Sequence, residues 1–131
     1  MDLNQVTLPT TDLGRAVAFY KRLGFTLIVH SPPRYARFEC RPEGASFSLE
    51  RVEAIAKDNQ AIIYFECEEL NDKVAELQKA GIQFEMEPTD RRWLWREAHL
   101  RDPDGNRLCL YHAGRNRLYP PWRVAADDKE E

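Results

Sequence analysis

Apolar residues recur along the chain at two spacings. Across positions 3–8 they alternate: Val6 and Leu8 point one way and Gln5 and Thr7 the other, which predicts a half-buried strand. Asp12 then offers a side-chain oxygen to the unpaired N–H groups of a helix start. Leu13, Ala16, Val17, Tyr20 and Leu23 follow at helical spacing and make one apolar stripe. Gly24 stands where a left-handed residue ends such a helix. Strands are predicted at 25–30, 35–40 and 45–52, with Ser31-Pro32-Pro33 and Arg41-Pro42-Glu43-Gly44 as the turns between them.

The second half repeats this plan. Positions 61–65 read as a strand. Asn71 is placed to cap a helix whose apolar side is Val74, Leu77 and Ala80, and Gly81 is placed to end it. Strands follow at 83–87, 95–101 and 107–112, the last two joined by the turn Asp102-Pro103-Asp104-Gly105-Asn106. The order is βαβββ twice, with Gln5 and Ile62 57 positions apart and Asp12 and Asn71 59 apart. One helix covers only one face of its sheet, so two halves, or two chains, must bring the bare faces around a shared cleft. Such clefts are natural small-molecule sites. A single α+β sandwich without a pocket is the other arrangement this pattern allows.

Composition narrows the function. Of 131 residues 43% are hydrophobic and 31% charged, a globular balance, and the net charge of −3 argues against a general binder of nucleic acid or anionic membranes. Cys40, Cys67 and Cys109 form no CxxC pair, so neither a zinc knuckle nor a redox couple is legible, and sparse thiols fit a cytoplasmic protein. The first residues carry no signal-peptide pattern, and no run approaches the roughly 20 apolar residues of a membrane span.

The stretch REAHLRDPDGNRLCLYHA, Arg96 to Ala113, resembles the end of a vicinal-oxygen-chelate module, the superfamily of glyoxalases, bleomycin-resistance proteins and extradiol dioxygenases. The opening from Leu3 to Phe25, with Phe19-Tyr20 and a terminal Leu-Gly, is similar to that family's first strand and helix, and Ile63 to Gly81 to its second βα unit. The tail AGRNRLYPPWR looks like that of single-domain members. The resemblance implies an α+β fold of two βαβββ modules, at about 1–56 and 60–113. Curved mixed sheets then form a cleft, with the helices on the outer faces. With a C-terminal arm they make one domain, 1–124, and 125–131 is a disordered acidic tail. It also implies a homodimer, in some members with a pocket shared between chains.

Metal-dependent members of that family place ligands at four equivalent inward positions. Here these match Gln5, Glu50, Ile62 and Cys109. Isoleucine has no lone pair to give, and one amide, one carboxylate and one thiol do not complete the usual shell. No metal and no cofactor are therefore expected. The expected function is small-molecule binding or sequestration in the manner of the bleomycin-resistance type. The alternative is a lyase, isomerase or dioxygenase of the same superfamily, so whether the protein is an enzyme stays open.

Alternation selects the cleft residues. Ala36, Phe38 and Cys40 suit the core, leaving Tyr35, Arg37 and Glu39 on the other face. Phe47 and Leu49 pack, so Glu50 faces the cleft with Ser46 and Ser48. Ile63 and Phe65 pack, so Tyr64 faces it with Ile62 and Glu66. Leu108 and Leu110 pack, so Cys109 faces it with Arg107 and Tyr111. The charges either pair with one another or meet a polar or cationic, aromatic-bearing ligand. In the basic, Trp-rich segment 91–96, Trp93 and Trp95 either wall the cavity mouth or pack at a dimer contact; nucleic acid is not expected there. His99 is either an acid or base or a structural histidine. Cys109 is either a nucleophile or an inert thiol.

Overall fold

The computed structural model describes residues 1–125, so all but the first residue of the expected acidic tail lies outside the described residues. Strand β1 (Gln5–Thr10) leads into helix α1 (Leu13–Arg22), followed by β2 (Thr26–Ser31), β3 (Tyr35–Glu39) and β4 (Ser46–Arg51). The second module runs β5 (Ile62–Glu66), α2 (Leu70–Lys79), β6 (Met86–Asp90), β7 (Arg96–Arg101) and β8 (Arg107–His112), and a 3-10 turn follows at Gly114–Arg117. Each module is one four-stranded mixed sheet, ordered β1-β4-β3-β2 in the first and β5-β8-β7-β6 in the second. The β1–β4 and β5–β8 pairs are parallel and the rest antiparallel. Among the described residues no helix is long and apolar enough to cross a membrane.

Both helices stop in the same way. After α1, Gly24 at φ 103° donates its N–H to the Lys21 carbonyl at 3.0 Å, and Phe25 donates to Tyr20 at 3.2 Å. After α2, Gly81 at φ 92° donates to Gln78 and Ile82 to Leu77, each at 3.0 Å. This paired closure satisfies helix-end carbonyls and needs a left-handed residue, which glycine adopts without a Cβ clash. The starts differ. Asp12 caps α1, its carboxylate accepting the Arg15 N–H at 3.1 Å. Asn71 does not cap α2; it lies inside the helix, where its Oδ1 accepts from Arg96 Nε at 3.0 Å. The reason is Leu70, which is buried with Val74 and Leu77, so the apolar stripe starts before Asn71 and leaves Ala80 exposed. Strand β6 also falls three residues later than expected. Ile82 is buried as the chain leaves α2, and pairing with β7 shifts register around Pro88, which has no N–H to give.

The helix-bearing faces of the two sheets share one core. Phe25 sits 5.1 Å from Phe47 of the first module and 4.8 Å from Phe65 of the second, centroid to centroid, and Phe47 and Phe65 are 5.8 Å apart. Such ring pairs add roughly 0.5–1.5 kcal/mol each beyond their area. The turn between β7 and β8 fastens the modules together from below. Asp102 Oδ2 accepts the buried Tyr20 hydroxyl at 2.7 Å, and Asn106 Nδ2 donates to the Pro9 carbonyl at 3.0 Å. Asp104 accepts from the Thr10 hydroxyl at 2.5 Å, from the Thr11 N–H and hydroxyl at 2.9 Å each, and from Arg15 at 3.0 Å.

Candidate functional site

Alternation sends every second side chain of each sheet away from this core, so each sheet has one face no helix covers. The bare face of the first sheet is polar. Gln5 Nε2 donates to the buried Ser48 hydroxyl at 3.0 Å, Thr7 shares a hydrogen bond with Ser48 at 2.8 Å, and the Ser46 hydroxyl donates to Gln5 Oε1. Arg37 Nε donates to the Tyr35 hydroxyl at 2.9 Å. The Ser48 hydroxyl first, and then Arg37, hold the Tyr35 phenol below its ordinary range. Glu50 and Glu39 flank this group, opposite Tyr35 and Ser46 across the β3–β4 pair. Among the described residues, Arg37, Glu39 and Glu50 form no ion pair with one another or with any other side chain.

The bare face of the second sheet is aromatic and denser. Trp95 stacks on Tyr111 at 4.5 Å and 17°, and Tyr64 meets both edge-on at 5.9 and 5.6 Å. Tyr111 is buried, whereas Tyr64 is 45% exposed and forms the outer edge of the trio. Beside it, β7 and β8 bring Glu97, His99 and Cys109 together, their donor atoms all within 4.8 Å of one another. His99 stands directly opposite Cys109 across the pair. Glu97 Oε1 bonds His99 Nε2 at 2.9 Å, and the Trp93 indole N–H donates to Glu97 Oε2 at 2.6 Å. Burial first, and then the Glu97 charge, push the Cys109 thiol up to about 12, so on its own it is a poor nucleophile. Burial, with Cys109 and Glu97 adding to it, also raises the Tyr64 phenol.

Glu66 closes the edge of this face. It accepts the Ala113 and Gly114 N–H groups at 2.9 and 2.7 Å, so it holds the start of the 3-10 turn. Burial works against its charge, but these two bonds with His112 and Arg117 hold its carboxyl below the ordinary value. Past Tyr64, an open depression of about 640 Å³ lies where Phe25 and Cys40 of the first module meet Glu66, Cys67 and Lys73 of the second.

The ten residues picked from the sequence thus divide in two. Gln5, Tyr35, Arg37, Glu39 and Glu50 stand on the first bare face. Tyr64, Trp93, Trp95, His99 and Cys109 gather on or beside the second. Because the opposite faces meet in the core, the two bare faces turn away from each other. The pairings also correct one alignment. Gln5 pairs with Ser46 and Thr7 with Ser48, as Ile62 pairs with Arg107 and Tyr64 with Cys109. The counterpart of Cys109 is therefore Ser48, 61 positions earlier, and not Glu50, whose counterpart is Tyr111. The repeat is 57 residues at the first strands and longer at the last, because the two modules differ in their loops. With Ser48 in place of Glu50, the family's four metal positions do not come together within one chain: Gln5 and Ser48 lie on one face, Ile62 and Cys109 on the other, and Ile62 offers no donor. Glu97 is the residue sequence reasoning missed. Its signal was the Glu97-Ala98-His99 alternation, which puts both ionisable side chains on one face of β7.

Relatives agree with this architecture. A solved glyoxalase/bleomycin resistance protein/dioxygenase from Nocardioides matches at a TM-score of 0.75 with 23% identity, over 95% of this chain and 90% of that one. A bleomycin-binding protein solved in complex with bleomycin matches at 0.70 with 21% identity, over 86% and 98%. Lactoylglutathione lyase from Agrobacterium tumefaciens matches at 0.71 with 20% identity, over 85% and 92%. In sequence, the uncharacterized protein YraH of Bacillus subtilis strain 168 is 29% identical over 125 residues, 85% of this chain and 98% of its own. The sequence model of the Glyoxalase/Bleomycin resistance protein/Dioxygenase superfamily matches residues 2–110, most of the chain, so the protein belongs to that superfamily.

Proposed function

We infer that this chain binds and sequesters a small amphipathic molecule, cationic or polar and bearing an aromatic group. The observation that carries this reading is the Tyr64–Trp95–Tyr111 trio on the sheet face no helix covers, with Tyr111 buried, Trp95 half-buried and Tyr64 at the exposed edge. Flat rings supply stacking area and attract cations over their faces, and they lose little conformational freedom on binding. The likeness to a bleomycin-binding protein supports small-molecule binding. A cleft using all ten selected residues needs two copies, with the polar first face of one chain set over the aromatic second face of its partner. We therefore expect a homodimer. The three free thiols fit a reducing, cytoplasmic setting.

A panel of aromatic cations screened by thermal shift tests the reading. A binder at about 100 times its dissociation constant stabilises the native state by about 2.7 kcal/mol. At least one panel member should raise the wild-type melting temperature, and Tyr64→Ala should lose that rise while still unfolding cooperatively, from a somewhat lower ligand-free melting temperature. A flat response across the panel, or an unchanged response in the variant, would overturn it. A catalytic reading has one observation in its favour, the Glu97–His99 pair at 2.9 Å, which has the contact proton transfer needs. Mass spectrometry on each binder, looking for conversion that stops in His99→Gln, decides between binding and turnover.

A further inference from the structure

We propose that Glu97, His99 and Cys109 form a divalent metal site for a zinc-like ion, with its fourth position open beside Tyr64. The donor set is one carboxylate oxygen, one imidazole nitrogen and one sulfur, all on the bare face of two adjacent strands. Mixed oxygen, nitrogen and sulfur donors suit zinc and its neighbours and not the hard, all-oxygen cations. Three protein ligands with one free position is the arrangement of a site that can take a water or a ligand atom.

Three observations support the assignment. The first is distance. Bonds of about 2.0–2.3 Å in a tetrahedron place ligand atoms roughly 3.3–3.8 Å apart, so donors within 4.8 Å need to close by only about 1 Å. The second is charge. Glu97 is 4% exposed, and among the described residues its ion-pair partner is His99, at 2.9 Å, with no lysine or arginine, so a neutral imidazole leaves the carboxylate uncompensated. A buried carboxylate needs a compensating charge. A dication held by one carboxylate and one thiolate with a neutral histidine is balanced; binding releases the Cys109 proton to solvent, and any proton on His99 with it. The third is support from the outer side. Trp93 already holds the far carboxylate oxygen at 2.6 Å, which leaves Oε1 and the His99 ring facing each other. Partners of this kind orient metal ligands and fix their rotamers. The site takes two of its three donors from β7, which carries none of the superfamily's usual ligands, and it needs neither Gln5 nor Glu50.

Cobalt(II) is the probe. Chelator-treated wild-type protein is titrated with Co²⁺ under reducing conditions and followed by optical absorption. One equivalent should give strong visible bands of a four-coordinate ion and a near-ultraviolet thiolate-to-cobalt band, both removed by Zn²⁺. Cys109→Ser should lose the near-ultraviolet band, and His99→Ala should weaken binding by roughly tenfold or more. Cys40→Ser/Cys67→Ser should keep the full spectrum, which separates this site from the other two thiols. A wild-type titration without the thiolate band overturns the proposal whatever the variants do, as does the same band in Cys109→Ser. Thermal shifts with the aromatic cations, run on the chelator-treated protein, report on ligand binding separately.

Discussion

At the scale of single residues, exposure decides which side chains serve binding and which serve stability. Tyr64 projects from β5 with nearly half its surface in water, so its removal opens no cavity. Tyr64→Ala should cost about 1–2 kcal/mol in unfolding, for its two edge-on ring contacts, and lower affinity for an aromatic ligand by about tenfold, read by calorimetric titration with the binder from the panel. Tyr20 is the opposite case. It is fully buried and its hydroxyl donates to the Asp102 carboxylate, a charge-assisted bond whose loss leaves that oxygen with Asn106 Nδ2, at 2.8 Å, as its remaining donor. Tyr20→Phe removes one oxygen atom only, yet should cost about 1–3 kcal/mol in urea unfolding. Burial, helped by Asp102, raises the Tyr20 phenol far above its ordinary value, so it stays a donor at any physiological pH. The outward position of Tyr64 was legible because period-two alternation needs only the neighbours Ile63 and Phe65. The partnership of Tyr20 with Asp102, 82 residues apart, was not, since no local pattern encodes a contact between modules.

At the scale of elements, the helix ends carry more information than the helix starts. Gly24 and Gly81 were both readable as stops, because a left-handed residue after an apolar stripe has few alternatives to glycine. The start of α2 was misplaced because Asn71 has the right side chain for a cap, whereas tertiary burial of Leu70 extends the helix past it. Strand β6 was misplaced because alternation continues from Ile82 to Glu87 although pairing begins only at Met86. The two stop glycines make a controlled comparison. Both have φ near 100°, but a Cβ on Gly81 would meet nothing within 4 Å, whereas one on Gly24 would sit 3.2 Å from Lys73 Nζ. Gly81→Ala should therefore show the conformational cost alone, about 1 kcal/mol. Gly24→Ala should cost the same plus whatever Lys73 gives up in moving, a small addition because the lysine end is flexible. Thermal denaturation of the two variants side by side measures that difference; a Gly24→Ala cost several-fold above Gly81→Ala would mean that Lys73 is held in place.

At the scale of the molecule, one turn binds the two modules, and the same turn carried the resemblance in the sequence. Its residues favour a tight turn, which is why the motif was legible. Its reach to Thr10, Thr11 and Arg15 of the other module was not, because those partners lie about 90 residues away. The division of the ten selected residues between two faces was hidden for a similar reason. Alternation tells which side of a strand a residue takes, but only the shared core tells which way that side looks. Asp104 is where the joint can be tested. Burial alone would raise its pKa, but Thr10, Thr11 and Arg15 outweigh it and hold the carboxyl below its ordinary value. The folded chain thus gives up this proton more readily than the unfolded one. The stabilisation is complete above the ordinary carboxylate range, shrinks as pH falls below about 4, and is gone once pH passes the lower folded value. Asp104→Asn keeps the shape and removes the charge, and it turns one acceptor into a donor facing hydroxyl and N–H donors. It should cost about 2–4 kcal/mol at pH 7. Arg15→Ala should cost under about 1 kcal/mol, since the Arg15 side chain is 48% exposed and well screened. Urea unfolding of wild type and Asp104→Asn at pH 7 and near pH 3 reads the linkage directly. The gap between them should narrow at the lower pH, because the unfolded wild type takes up a proton there that folding must release, whereas the variant has no such proton. A gap of constant width would assign the whole effect to hydrogen-bond geometry and none to ionisation.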